Sequence, residues 1–183
     1  MIDMGWLLSG GWMPALWLAT LMSLSLAGYM RVLAPSFTAL QAHSFFGYHT
    51  RRTKKLFKVL HGDRERLARV NRVRRLDHVL PVLTGMTLIG WAAHFSGILG
   101  SNLLVPRMAL AVCILASLTA VGFDYLENSR IGAMVDALPA EPDDAKIRAA
   151  SLATALKLWS YSVAAVIVLV DAFVLIFLRA AIG

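Results

Sequence analysis

The sequence predicts an all-α integral membrane protein. Four transmembrane helices form a bundle, a basic amphipathic cytoplasmic helical segment lies between helices 1 and 2, and helices 3 and 4 form a long hairpin projecting into the cytoplasm. Three observations predict this. First, the 183 residues are 58% hydrophobic and 16% charged, where a soluble domain has roughly 45–50% and about 25%; the mean hydropathy is +0.65. Second, long stretches carry no Lys, Arg, Asp or Glu at all. Third, the charge is one-sided: 12 of the 18 basic residues lie between Arg31 and Arg75, accompanied only by Asp63 and Glu65. That stretch is strongly positive and the rest of the chain is net negative. The composition excludes a disordered chain and argues against a soluble one, and the length suits a single domain over 1–183.

Taken in order, the chain carries no charge from Met4 to Met30, enough to cross a hydrocarbon layer of ~30 Å at ~1.5 Å per residue. Span one is expected over about 6–30. A cleaved signal peptide fits poorly, because Asp3 stands where a basic n-region belongs and the apolar run exceeds ~7–15 residues. The stretch 32–50 is uncharged, but Pro35, Gln41, His43 and His49 make it a poor span. With Phe37, Leu40, Ser44 and Phe45 near helical spacing, it reads as an interfacial or re-entrant helix or a continuation of the first span. The basic helical segment, 48–77, sets Leu56, Leu60, Leu67, Val70 and Val73 on one side, with a break at His61-Gly62-Asp63.

Span two is expected over 79–99 and a turn at Gly100-Ser101-Asn102. Pro106 then opens span three, 106–126, and span four covers 158–178. Backbone polar groups cannot stay unpaired in lipid, so all four runs must be helical. The positive-inside rule puts the basic segment in the cytoplasm and both termini outside. Trp6 and Trp12 suit an aromatic belt at the outer end of span one.

Helical spacing continues past span three to Leu138. Pro139-Ala-Glu-Pro142 then makes a turn, with Asp143 and Asp144 as helix-capping residues beyond it and a hairpin tip over 127–150. With the turn centred between Ala140 and Glu141, Asp124 and Lys157 fall at the same height on opposite arms, about 25 Å from the tip. Asp124, Glu127 and Asn128 share one helix face, and Lys157 and Tyr161 lie one turn apart on the other arm. Asp77 and His78, at the inner end of span two, reach the same level. Asp124, Glu127 and Lys157 are thus the candidates for chemistry, and Asp77, His78, Asn128 and Tyr161 for ligand binding. The simplest role for the cluster is a structural ion-pair layer at the inner membrane edge. Near the outer face Asp171, in an apolar run, needs a partner, with Arg107 first and His94 second.

The sequence Asp124-x-x-Glu127-Asn128 at the end of a span, with Thr154-x-x-Lys157 opening the last one, resembles a group of uncharacterised bacterial four-helix inner-membrane proteins with a D-x-x-E-N then K pattern. The resemblance covers roughly 120–161 and implies a bacterial inner-membrane location; it implies no activity. The common nucleotide, zinc-protease and hydrolase motifs are missing. Cys113 alone supports neither a disulfide framework nor a cysteine metal site, and no metal or cofactor is expected. The basic run lacks interleaved aromatics and adjoins two spans, so anionic lipid headgroups rather than nucleic acid are its expected partners. Arg51, Arg52, Lys54, Lys55, Lys58, Arg72, Arg74 and Arg75 are the residues expected to hold them. Other membrane subunits or a second copy are further possible partners. The primary expectation is a non-enzymatic lipid- or partner-binding protein. The alternatives are an enzyme acting on a lipid-like substrate by general acid/base chemistry at Asp124, Glu127 and Lys157, and a proton or ion pathway.

Overall fold

A computed structural model describes residues 11–42, 45–100 and 102–182. The first part of span one, Trp6 included, and His43, Ser44 and Ser101 lie outside the described residues. Among the described residues the chain is mostly helical, with no strand: α1 (Met13–Leu33), α2 (Pro35–Ala42), α3 (Thr50–Gly62), α4 (Arg64–Leu76), α5 (Leu80–Gly100), α6 (Leu104–Asp136) and α7 (Asp144–Ile182). Four of the helical stretches are long and apolar enough to cross a membrane, and they contain α1, α5, α6 and α7.

Each boundary has a local cause. Pro35 restricts the residue before it, and Ala34 leaves helical geometry (φ −140°, ψ 69°), so α1 bends off into α2 instead of running on. Asp63 stands between α3 and α4 and its carboxylate accepts the Arg66 N–H at 3.0 Å, which places the break where the His61-Gly62-Asp63 sequence put it. At the far end of the hairpin Asp143 caps α7, its side chain accepting the Ala145 N–H at 3.0 Å. The turn expected over Pro139–Pro142 lies between the two long arms, α6 and α7.

The two ends of the bundle pack by different rules. At one end, most of the buried residues along α5, α6 and α7 are small: Gly85, Ala92, Ser96, Cys113, Ser117, Ala120 and Ala164. Large apolar side chains point outward, with Leu115, Leu169, Phe173 and Ile176 all about two-thirds exposed (66%, 67%, 68% and 68%). Helices in lipid associate this way, because apolar side chains gain nothing by leaving lipid tails and close approach of small residues supplies the contact. The other end has a conventional core, in which Met30, Phe37, Phe57, Leu60, Val70, Val73, Ile131, Met134, Val135 and Ile147 are all buried together. This second core joins α1 to α4 to the extended arms of α6 and α7. It buries Leu60, Val70 and Val73 from the expected apolar side of the basic segment, and adds Phe57, which that pattern did not single out.

Candidate functional site

Between the two ends lies a buried polar layer. Lys157 of α7 reaches across to α6, its Nζ 3.1 Å from Asp124 Oδ1 and 2.5 Å from Glu127 Oε2. The register expected from the hairpin arithmetic is therefore realised as direct contact. The layer is buried: Glu127 is 0% and Lys157 8% exposed. The contact with Asp124 is an aligned hydrogen bond. That with Glu127 is a close ion pair, and Glu127 Oε1 has no hydrogen-bond partner. Asp77, also buried, interacts electrostatically with both Lys157 and Glu127. One ammonium thus faces three carboxylates.

A ring of side-chain donors ties the start of α5 to this layer. Pro81 has no N–H, so the Asp77 carbonyl loses its helical partner four residues on. Asn128 Nδ2 takes the place, donating to the Asp77 carbonyl at 3.2 Å and more loosely to Asp124 Oδ1 at 3.4 Å. Tyr125 donates to the His78 carbonyl at 2.6 Å and Tyr161 to the Pro81 carbonyl at 3.2 Å. His78 itself is exposed and stacks on Tyr125, with centroids 6.1 Å apart, so it stands outside the carboxylates expected beside it. Among the described residues no three His, Cys, Asp or Glu side chains are grouped so as to hold a metal ion; Lys157 holds the centre that a cation would take.

Tyr48 closes the layer from the other side, and the sequence did not single it out. Gly47 (φ +84°) turns the chain so closely against α7 that an added Cβ would overlap the Ser151 hydroxyl. Ser151 Oγ accepts the Tyr48 N–H at 2.8 Å. Burial first, then the charge of Glu127, raises the Tyr48 phenol above its ordinary range.

The basic helices run along the hairpin. Tyr48 meets Ser151, and six residues later Lys54 meets Asp144 at 2.6 Å and Glu141 at 3.7 Å, so α3 descends α7 toward the hairpin turn. From Lys157 to Asp144 is about 20 Å along α7. The Lys54 ammonium holds the Asp144 carboxyl below the usual carboxylate range. The next helix, α4, returns along α6. Arg74 makes a paired contact with Asp136 at 2.8 and 3.3 Å, lying over Gly132, where any Cβ would strike the guanidinium. Lys54 and Arg74, both expected at headgroups, are thus docking residues. Arg51, Arg52, Lys55, Lys58, Arg72 and Arg75 are exposed.

At the other end of α7 Asp171 is buried and its Oδ2 has no hydrogen-bond partner. His94 packs edge-on to Trp12 and Trp91, and its Nδ1 has no hydrogen-bond partner. The chain matches no protein-family model, no curated protein and no solved structure, so the reading of these sites rests on their own geometry.

Proposed function

We propose that the chain is a non-enzymatic multi-pass membrane protein that gathers anionic lipid at its cytoplasmic edge, with the Lys157 layer as the structural floor of that edge. The observation that carries this reading is the height of four exposed arginines. Arg72 and Arg75 lie within two turns of Asp77. Arg51 and Arg52 open α3 just after Tyr48, whose anchor Ser151 is about 9 Å along α7 from Lys157. Beyond the layer α5, α6 and α7 turn lipid-like surfaces outward, so these guanidinium groups fall at headgroup depth, where each contributes about 1 kcal/mol. Lys55 and Lys58, about 20 Å away, take no part, since screening is nearly complete over ~8 Å. In this reading the membrane is the bacterial inner membrane and both termini are outside.

The test compares thermal unfolding of the full chain in phosphatidylcholine nanodiscs with and without phosphatidylglycerol. Wild type gains stability with the anionic lipid, and the Arg51→Gln/Arg52→Gln/Arg72→Gln/Arg75→Gln variant loses that gain. Equal gains in both would overturn the reading. A second reading, general acid/base chemistry on a lipid-like substrate, is favoured by Glu127 Oε1, which has no hydrogen-bond partner. Its complete burial argues the other way, because a substrate reaches it only if the layer opens.

A further inference from the structure

Beyond the lipid reading, the far end of the basic segment forms a second site. A cleft of about 450 Å³ lies between α3 and the hairpin turn, lined by Lys54, Lys55, Lys58 and His61 on one side and by Leu138 to Pro142 on the other. Its volume is in the range of small-molecule sites. Lys54, Lys58 and His61 are spaced i, i+4, i+7 and so stack on one face of α3, with Lys55 beside them. No acidic residue occurs in α3 to offset them. Lys54 is held against Asp144 and Glu141 and forms a fixed wall. Lys55 and Lys58 carry no described ion pair, and they repel each other across one turn. Phe57, buried beneath them, keeps the floor of the cleft apolar.

We infer that this cleft binds a small soluble anion carrying at least two phosphate charges, with Lys55 and Lys58 as the primary contacts and His61 at its rim. Like charges gathered on one wall of a concave site lower the energy of a multiply charged anion there and raise its local concentration. Leu138 and Pro139 opposite suit an apolar part of the same molecule. The ligand is taken as soluble because Lys54 pairs with Asp144 about 20 Å along α7 from the polar layer. That one step shares its membrane placement with the lipid reading; the cleft itself does not.

The test uses the full chain in phosphatidylcholine nanodiscs, with pyrophosphate as probe and amine acylation read by mass spectrometry. Pyrophosphate is expected to protect Lys55 and Lys58 but not the exposed Lys146 on α7. Its affinity, measured by calorimetry, is expected to fall about tenfold or more in Lys55→Gln/Lys58→Gln and to be unchanged in Arg72→Gln/Arg75→Gln. Both lysines are exposed, and matching melting curves establish that the variants are folded. Absence of protection, or equal affinity in the lysine variant, overturns the inference. So does protection given only by nanodiscs containing a phosphorylated inositol lipid, which would make the ligand a headgroup. Loss of binding in the arginine variant alone would overturn it too, whereas the anionic-lipid stability test can fail without affecting this one.

Discussion

Replacing Lys157 by Met removes the one cation of the buried layer, and the structure sets the size of the effect. The ammonium sits 3.1 Å from Asp124 and 2.5 Å from Glu127, with the three side chains only 10%, 8% and 0% exposed. Surface ion pairs contribute at most about 1 kcal/mol. Breaking a buried pair from one side costs about 3–5 kcal/mol, because a charge is left unpaired in a dry place. Lys157→Met leaves Asp77, Asp124 and Glu127 facing one another and belongs at the upper end. Asp124→Asn is milder, since Lys157 keeps Glu127 and an amide oxygen still accepts; about 1–3 kcal/mol is expected. For a chain of this length 1 kcal/mol moves Tm by about 2–4 °C, so Lys157→Met lowers it by about 10 °C or more. The Lys157→Met/Asp124→Asn/Glu127→Gln triple variant recovers much of that loss. Thermal unfolding in detergent of the single, double and triple variants measures the coupling. A coupling energy indistinguishable from zero would refute the direct contact and with it the layer.

Three further outcomes follow from the same geometry. Gly47→Ala is expected to destabilise by more than about 1 kcal/mol, through both the positive φ and the collision with Ser151; Ser151→Ala in the same background relieves the collision but removes the acceptor of the Tyr48 N–H, so it restores only part of the loss in melting temperature. Arg74 holds the Asp136 carboxyl below its usual range, so the contact stabilises above the unfolded carboxylate pKa and is lost as pH falls through the lowered folded one. The stability difference between wild type and Arg74→Gln is therefore present at pH 7 and absent at about pH 2, and it is small because Asp136 is exposed. With Cys113 replaced, single cysteines at Gly62 and Ala140 are expected to label only from the cytoplasmic side and one at Asn102 only from outside; the reverse would invert the topology.

How much of this was legible in the sequence depends on how far each contact reaches along the chain. The Asp124 to Lys157 contact could be read directly, because two uninterrupted helices joined by a short turn make height a matter of counting residues. The break at Asp63 was readable for a similar reason, a capping side chain acting within three residues. The path of the basic helices was not. Their amphipathic pattern states that one face is covered but not by what, and lipid headgroups and the hairpin arms satisfy it equally. Pairings such as Lys54 with Asp144 join residues 90 positions apart. Tyr48 was missed because nothing local marks it; its role follows from the turn at Gly47 and from Ser151 on another helix. The Asn128 contact had a signal that went unused: Pro81 frees the carbonyl four residues before it. The burial of Asp171 was legible too, as a carboxylate inside a long apolar run.

The most direct test of the central claim is the lipid that stays with the protein. Native mass spectrometry of the full chain released from its own membrane reads retained phospholipids one by one. Anionic phospholipid is expected on wild type, strongly reduced in Arg51→Gln/Arg52→Gln/Arg72→Gln/Arg75→Gln and preserved in Lys55→Gln/Lys58→Gln. Retention that is zwitterionic only, or anionic retention lost with Lys55 and Lys58 and not with the four arginines, would contradict that claim.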